Sequence, residues 1–236
     1  MSARELITEH LDLWTGAVTK KSSSGRGNNG KVELTGIKKL RELILELAVT
    51  GKLGTQNAND SSAAELLTQI YDSRQKLGLA TARNQKRTDS LIASTRQISA
   101  LPQKWITAPL ISLINPSRPM TYGVLKPGPD VDDGVPLVKT ENVQFRHVIT
   151  EFKSKISPLL DQEYRRTRLS GGEVLLTLVG SIGRCAIAPA SLAGANLSRS
   201  VGLIVPVEDL DKDYLALVLT STINDKFVAE NPPLAG

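Results

Sequence analysis

SGGEVLLTLVGSIGRCAIAP, residues 170–189, puts two adjacent glycines, an apolar run, a Gly-x-x-Gly turn, an arginine and a second apolar run into one short stretch. Two readings compete for it: a glycine loop that cradles phosphate, or a β-hairpin whose turn carries Arg184. A Walker A loop needs Gly-x-x-x-x-Gly-Lys and then Ser or Thr, because the lysine must reach the phosphates and the hydroxyl must reach magnesium. Residues 180–184, GSIGR, have neither. A dinucleotide fingerprint needs its glycines to open a helix after a strand, yet RCAIAP, residues 184–189, continues as a strand. The stretch therefore reads as strand, turn and strand, with Val174, Leu176 and Leu178 alternating toward a core. Thr177, Ser181 and Arg184 then fall at or near its exposed end.

Around this hairpin the sequence has the punctuation of short strands. From LPQKW at residues 101–105 onward, β-branched and apolar clusters are broken by Pro109, Pro116, Pro119, Gly123, Pro127, Gly128, Pro129 and Gly134. Strands are expected over 135–139, 173–179, 184–188 and 202–207, and a last helix over about 212–228 from the spacing of Leu215, Val218, Leu219, Ile223 and Phe227.

The N-terminal part has a different period. Ser2-Ala-Arg-Glu5 has the form of a capping box, in which serine accepts from an early helix N–H and glutamate reaches back; a short helix to about Trp14 follows. KKSSSGRGNNGK, residues 20–31, has no apolar residue to bury, so a mobile basic loop is expected over about 15–32. Ile37, Leu40, Leu43, Ile44, Leu47 and Ala48 form a helical stripe that Gly51 ends. Ser62-Ala-Ala-Glu65 opens another helix, with Leu66, Leu67, Ile70 and Leu77 on its inner side. Two such helices bury little alone, so their stripes need the rest of the chain or another subunit. Residues 81–100 are polar and basic and read as a linker or a frayed helix end. The expected architecture is α+β: a helical N-terminal region over 1–100 and a domain of short β-strands and peripheral helices over 101–236.

Composition narrows the function. The 236 residues carry a net charge of +5 with the excess in patches, Arg83, Lys86 and Arg87 in one and Arg165, Arg166 and Arg168 in another; such patches suit phosphate or another acidic surface. Aromatics make up only 4%, which points to at least one stretch folding against a partner. The single cysteine, Cys185, excludes a disulfide framework and reads as a small buried side chain in a reducing compartment. No signal-peptide layout and no apolar run of ~20 residues are present, so the expectation is a cytoplasmic protein with no membrane partner.

Enzyme chemistry finds no support. His10 and His147 lie far apart with no metal-ligand spacing, and Ser181 is not in a Gly-x-Ser-x-Gly elbow. Asp130, Asp132 and Asp133 beside Gly134 read as a soluble turn in preference to a magnesium site. No methyltransferase loop is found. Binding fares better. Arg184 at a hairpin end can fork to guanine or clamp a phosphate, and Ser and Thr hydroxyls suit phosphate oxygens. Asn196-Leu-Ser-Arg-Ser200 and Lys139-Thr-Glu-Asn142 are similar polar, basic segments.

In order, VPLVKTENV (135–143), SGGEVLLTLVGSIGRCAIAP (170–189), ANLSRSVGLIVP (195–206) and DYLALVLTST (213–222) resemble the target recognition domain of type I restriction-modification specificity subunits. GIKKLRELILELAVTGKL (36–53) and NDSSAAELLTQI (59–70) resemble the segment that precedes the first recognition domain in one branch of that family, and LPQKW resembles the start of the domain. The resemblance implies a non-catalytic subunit that binds double-stranded DNA and directs its partners to one half of a split target. Helical segments would bind the modification (methyltransferase) subunits, and the restriction (helicase-nuclease) subunit would join them. No cofactor is expected in this chain; S-adenosylmethionine, ATP and magnesium would sit on the partners. The chain stops at Gly236, before a second recognition domain and the long spacer helix, as a fragment, a truncated product or a half-size dimerising subunit would. Base-reading residues do not transfer between specificities, and at Arg184 only the basic character carries over. The DNA-contact candidates are Lys139, Asn142, Arg146, Arg184, Asn196 and Arg199. The alternative is a non-catalytic scaffold or adaptor that binds a methyltransferase without reading sequence itself.

Overall fold

The computed structural model describes residues 3–20, 32–76 and 101–221. The centre of the expected basic loop (21–31), the 81–100 linker and residues 222–228 of the expected last helix lie outside them, and within them that helix ends at Leu219, capped at Thr220. Helices and mixed sheets together make the α+β class expected from sequence. Packing divides the chain into two compact units. Among the described residues the first takes in 3–20, 32–60, 101–103 and Ser221, and the second takes in 61–76 and 104–220.

In the first unit the expected single helix up to Trp14 is two short ones, α1 (Ala3–Thr8) and α2 (Leu11–Gly16), separated by a turn at Glu9 and His10. The ends of the expected basic loop pair as two-residue strands, β1 (Thr19–Lys20) and β2 (Val32–Glu33), in register Thr19↔Glu33. Helix α3 (Thr35–Val49) follows the predicted stripe. It ends in a Schellman motif: Lys52 N donates to Leu47 O at 2.8 Å and Gly51 N to Ala48 O at 3.1 Å, with Gly51 at φ 70. The stripe residues Ile37, Leu40, Leu43, Ile44 and Leu47 are only half-buried.

The second unit begins with α4 (Ala63–Lys76). Its capping box is formed: Ser62 Oγ accepts from Ala64 N at 3.1 Å, and Glu65 Oε2 accepts from Ser62 N at 3.4 Å. The β-structure forms around the quoted hairpin. Strand β6 (Val174–Thr177) pairs antiparallel with β7 (Cys185–Ile187) and with β9 (Val201–Ile204), in register Leu176↔Cys185 and Leu176↔Gly202, and β3 (Thr121–Tyr122) adds to β9. The resulting order is β3-β9-β6-β7. A second sheet has β4 (Val135–Val138) between antiparallel β5 (Lys155–Ile156) and parallel β8 (Asn196–Leu197). Helix α5 (Pro158–Glu163) starts at Ser157, whose side chain accepts from Leu160 N, and α6 (Lys212–Leu219) starts at Asp211, whose side chain accepts from Tyr214 N.

The alternation expected along β6 describes only half of its packing. Val174 and Leu176 face a core with Cys185, Ile204, Leu215, Ala216 and Leu219, which places α6 against the sheet. Leu175 faces a second core with Val138, Val143, Leu169, Ala186, Leu197 and Leu203, between the two sheets. Leu178, expected inside, is 41% exposed because the ladder ends at Thr177 and the chain turns there. A strand covered on both faces has a continuous apolar run, and Val-Leu-Leu at 174–176 is one. Truncating the fully buried Leu175 to alanine costs ~2–5 kcal/mol by loss of burial and cavity formation.

Cys185 is fully buried, and loss of hydration pushes its thiol up from 9.0 to about 12, opposed by a hydrogen bond from the Ala186 backbone. The folded thiol therefore keeps its proton where an unfolded one loses it. That stabilisation is fully present below pH 9.0 and is lost as pH rises toward about 12. Urea-denaturation midpoints should fall across this window in the native chain and more gently in Cys185→Ala; equal slopes would show that the thiol is not responsible. The native thiol should also resist alkylation at pH 8 until denaturant is added.

Candidate nucleic-acid interface

The β6–β7 turn is built by Thr177, which is fully buried and not at the exposed end where the sequence placed it. Its hydroxyl donates to Ser181 O at 2.5 Å and accepts from Arg184 N at 2.9 Å. The Thr177 carbonyl accepts from Gly183 N at 3.1 Å, and its N–H donates to Arg184 O at 2.9 Å. Gly180 (φ 81) and Gly183 (φ 86) supply the left-handed conformations such a closed turn needs. The result is a braced tip that holds Val179 and Ile182 57% and 74% exposed, with Ser181 exposed between them.

Two further loops come to the same end of the sheets. Residues 139–149, which follow β4, are shaped by Asn142: its Oδ1 accepts from Lys139 N at 2.9 Å, and its Nδ2 donates to Ile149 O at 3.3 Å and Glu151 O at 3.4 Å. A tight turn closed by Gln144 N to His147 O at 3.0 Å puts Arg146 at φ 64, and Arg146 N donates to Cys185 O at 3.0 Å. Thr140 Oγ1 donates to Val179 O at 3.1 Å, and Arg184 Nη1 donates to Gln144 Oε1 at 3.1 Å. The 198–200 turn joins from the other side: Leu178 N donates to Ser200 O at 2.8 Å, Arg199 N donates to Val124 O at 2.9 Å, and the Ser198 and Ser200 hydroxyls are 2.6 Å apart.

Three of the six sequence candidates, Arg146, Arg184 and Arg199, thus meet around one hairpin tip. Arg199 is exposed and its side chain has no hydrogen-bond partner among the described residues. Arg146 reaches Asp213 at 3.5 Å with both side chains largely exposed, a pair that contributes little in water. Lys139 stands at the base of its loop, half-buried, with Nζ donating to Ser154 Oγ.

The two asparagines have other work. Asn142 is 6% exposed and frames its loop through the bonds already described. Asn196 is fully buried at the opposite end of β8. Its Oδ1 accepts from Thr167 Oγ1 at 2.6 Å, and its Nδ2 donates to Asp161 Oδ1 at 2.9 Å and Tyr164 O at 3.2 Å. A polar residue beside a basic one in a loop-like segment looks the same in sequence whether it frames the loop or faces out, and burial separates the two. Gln144, which orients Arg184, belongs to no motif, and its only signal in the sequence is its place two residues after Asn142. Among the described residues no group of three or more His, Cys, Asp or Glu side chains could hold a metal ion, and no helix is long and apolar enough to cross a membrane.

Removing the Asn196 amide strands buried partners on Asp161 and Thr167, so Asn196→Ala should cost ~1–3 kcal/mol in urea denaturation. Arg199→Ala, at an exposed position, should stay within ~0.5 kcal/mol. Equal effects would contradict the division between framing and exposed residues.

No protein-family model matches the chain. It is 43% identical over 123 residues to the EcoEI specificity subunit, a type I restriction enzyme component of Escherichia coli, a match that covers 51% of this chain and 21% of that one. It is 42% identical over 118 residues to the EcoAI specificity subunit of the same organism, covering 49% of this chain and 20% of that one. The chain therefore spans about one fifth of the length of the curated relatives it matches. In structure it is similar to the HsdS subunit from Thermoanaerobacter tengcongensis, with a TM-score of 0.38 and 15% identity over 89% of this chain and 49% of that one.

Proposed function

We propose that this chain is a DNA-recognition module of a type I restriction-modification specificity subunit, with the β6–β7 tip and its flanking loops as the surface that meets the duplex. The observation that carries the reading is the convergence of Arg146, Arg184 and Arg199 from separate loops onto one braced tip, in a chain half of which is similar to specificity subunits. Guanidinium groups at the rim position a protein on phosphates, while groups at the tip meet base edges in a groove. Arg184, oriented by Gln144, has donors left for the O6 and N7 of guanine or for a phosphate. Ile182 and Val179 suit apolar contact with a thymine methyl.

The chain works without chemistry of its own and reads one half of a split target. Modification subunits supply S-adenosylmethionine and the methyl transfer, and the restriction subunit brings ATP and magnesium. The half-buried stripe of α3 supports a helical attachment to such a partner, since an apolar helix face gains most of its stability from what covers it.

Binding of target duplex by the chain assembled with its modification subunits should weaken with salt, and Arg184→Ala or Arg199→Ala should each reduce the log–log slope by ~0.9 or relax specificity at one base position. Ile182→Ser should weaken preference at one position without changing the slope. In cells, deleting the gene should abolish methylation of a split adenine motif. An unchanged methylome overturns the reading, and a stable complex that distinguishes no DNA sequence leaves a scaffold in its place.

A further inference from the structure

The strands of the second unit have two ends, and the tip occupies one. Thr177 leads out of β6 into the turn, whereas Ser170 and Glu173 lie just before β6 begins. There, beside the chain entering β3, is a cleft of about 430 Å3 whose walls include Ser117, Arg118, Arg165, Arg166, Arg168 and Ser170.

Its four arginines are of two kinds. Arg118 Nη1 donates to Glu173 Oε1 at 2.8 Å, and its Nη2 donates to Arg168 O at 3.1 Å. Arg168 is held by both carboxylate oxygens of Asp161, whose hydrogen bond and then charge raise the guanidinium pKa further. Glu173 and Asp161 are buried, so these two cations are fixed in place with their charge balanced. Arg165 and Arg166 are different. They lie next to each other in the 3-10 turn Arg165–Thr167, both exposed, and neither side chain has a hydrogen-bond or ion-pair partner among the described residues. Four guanidinium groups against two carboxylates leave the cleft two positive charges in excess. Such a surplus, with hydroxyls at hand, is what a tetrahedral oxyanion requires.

We propose that this cleft binds a phosphate-bearing ligand, with Arg165 and Arg166 as its charge partners and Arg118, Ser117 and Ser170 as donors on its walls. The ligand is a free nucleotide or pyrophosphate, or a phosphate of a nucleic-acid backbone. The inference does not rest on DNA reading at the tip, since the residues are separate and at the opposite end of β6.

Calorimetric titration of the full chain with inorganic pyrophosphate tests it. Binding should be measurable at low salt, weakened ~10-fold or more in Arg165→Ala/Arg166→Ala, and unchanged in Lys153→Ala, which removes an exposed cation that belongs to neither surface. Both substituted arginines are exposed, and circular dichroism of the double variant confirms its fold. If pyrophosphate competes with duplex DNA and the double variant lowers the salt slope by ~1.8, the phosphate belongs to nucleic acid; if DNA binding is untouched, it belongs to a free ligand. No pyrophosphate binding by the native chain, or binding unaltered by the double substitution, overturns the proposal whatever becomes of DNA recognition at the tip.

Discussion

Val174 and Leu175 project from opposite faces of β6, and both are fully buried. A strand in that position must be covered twice, and the rest of the second unit follows from the requirement. One cover is α6, laid across β6 and β7 through Leu215, Ala216 and Leu219; the other is the second sheet, which brings Val138 and Leu197 against Leu175. Once the register Leu176↔Cys185 is set, the turn can fall only beyond Thr177, and Thr177 closes it with a side chain that has no route to solvent. The exposed tip is thus a product of the core.

The second cover also fixes the neighbouring loops. Strands β4 and β8 run parallel with Val138↔Leu197 in register, so the chain leaving β4 and the chain leaving β8 emerge at the same end. That end is the one to which β6 runs, because β9 leads back from it. Residues 139–149, 178–184 and 198–200 therefore meet although they lie far apart in sequence.

How much of this was legible depended on whether the signal was local. The hairpin, the helix stop at Gly51 and the capping box at Ser62 rest on bonds between residues a few positions apart, and the sequence displayed each. The two-residue strands β3, β5 and β8 were not visible, because a strand that short has no period to read. The inward alternation of Leu178 failed because whether the ladder continues past Thr177 is decided by β9, twenty-odd residues away. The candidate site was legible to the same extent. Basic residues at turns could be named, and Arg146, Arg184 and Arg199 did converge; whether an asparagine frames a loop or faces out depends on burial, which for Asn196 is set by Asp161 and Thr167 from α5 and the turn after it.

The bonds that hold the three loops together run almost entirely through the backbone. Arg146 reaches Cys185 through its backbone N–H, Leu178 reaches Ser200 through backbone atoms, Arg199 reaches Val124 through its backbone N–H, and Thr140 bonds to the Val179 carbonyl. Apart from Thr140, the framing does not use the side chains at these positions, and Ser181 and Ile182 take part in the turn through their backbones alone. The side chains at 181, 182 and 199 can therefore change identity while the backbone that presents them stays in place, whereas the left-handed backbone of Arg146 (φ 64) narrows the choice at that position. On the proposed reading, a fixed frame under replaceable side chains would separate the cost of folding, carried by buried groups, from the choice of target, carried by exposed ones. Arg184 is the exception: its side chain is tied to Gln144, so of the tip residues it is the one whose direction, and not only its charge, is set by the fold.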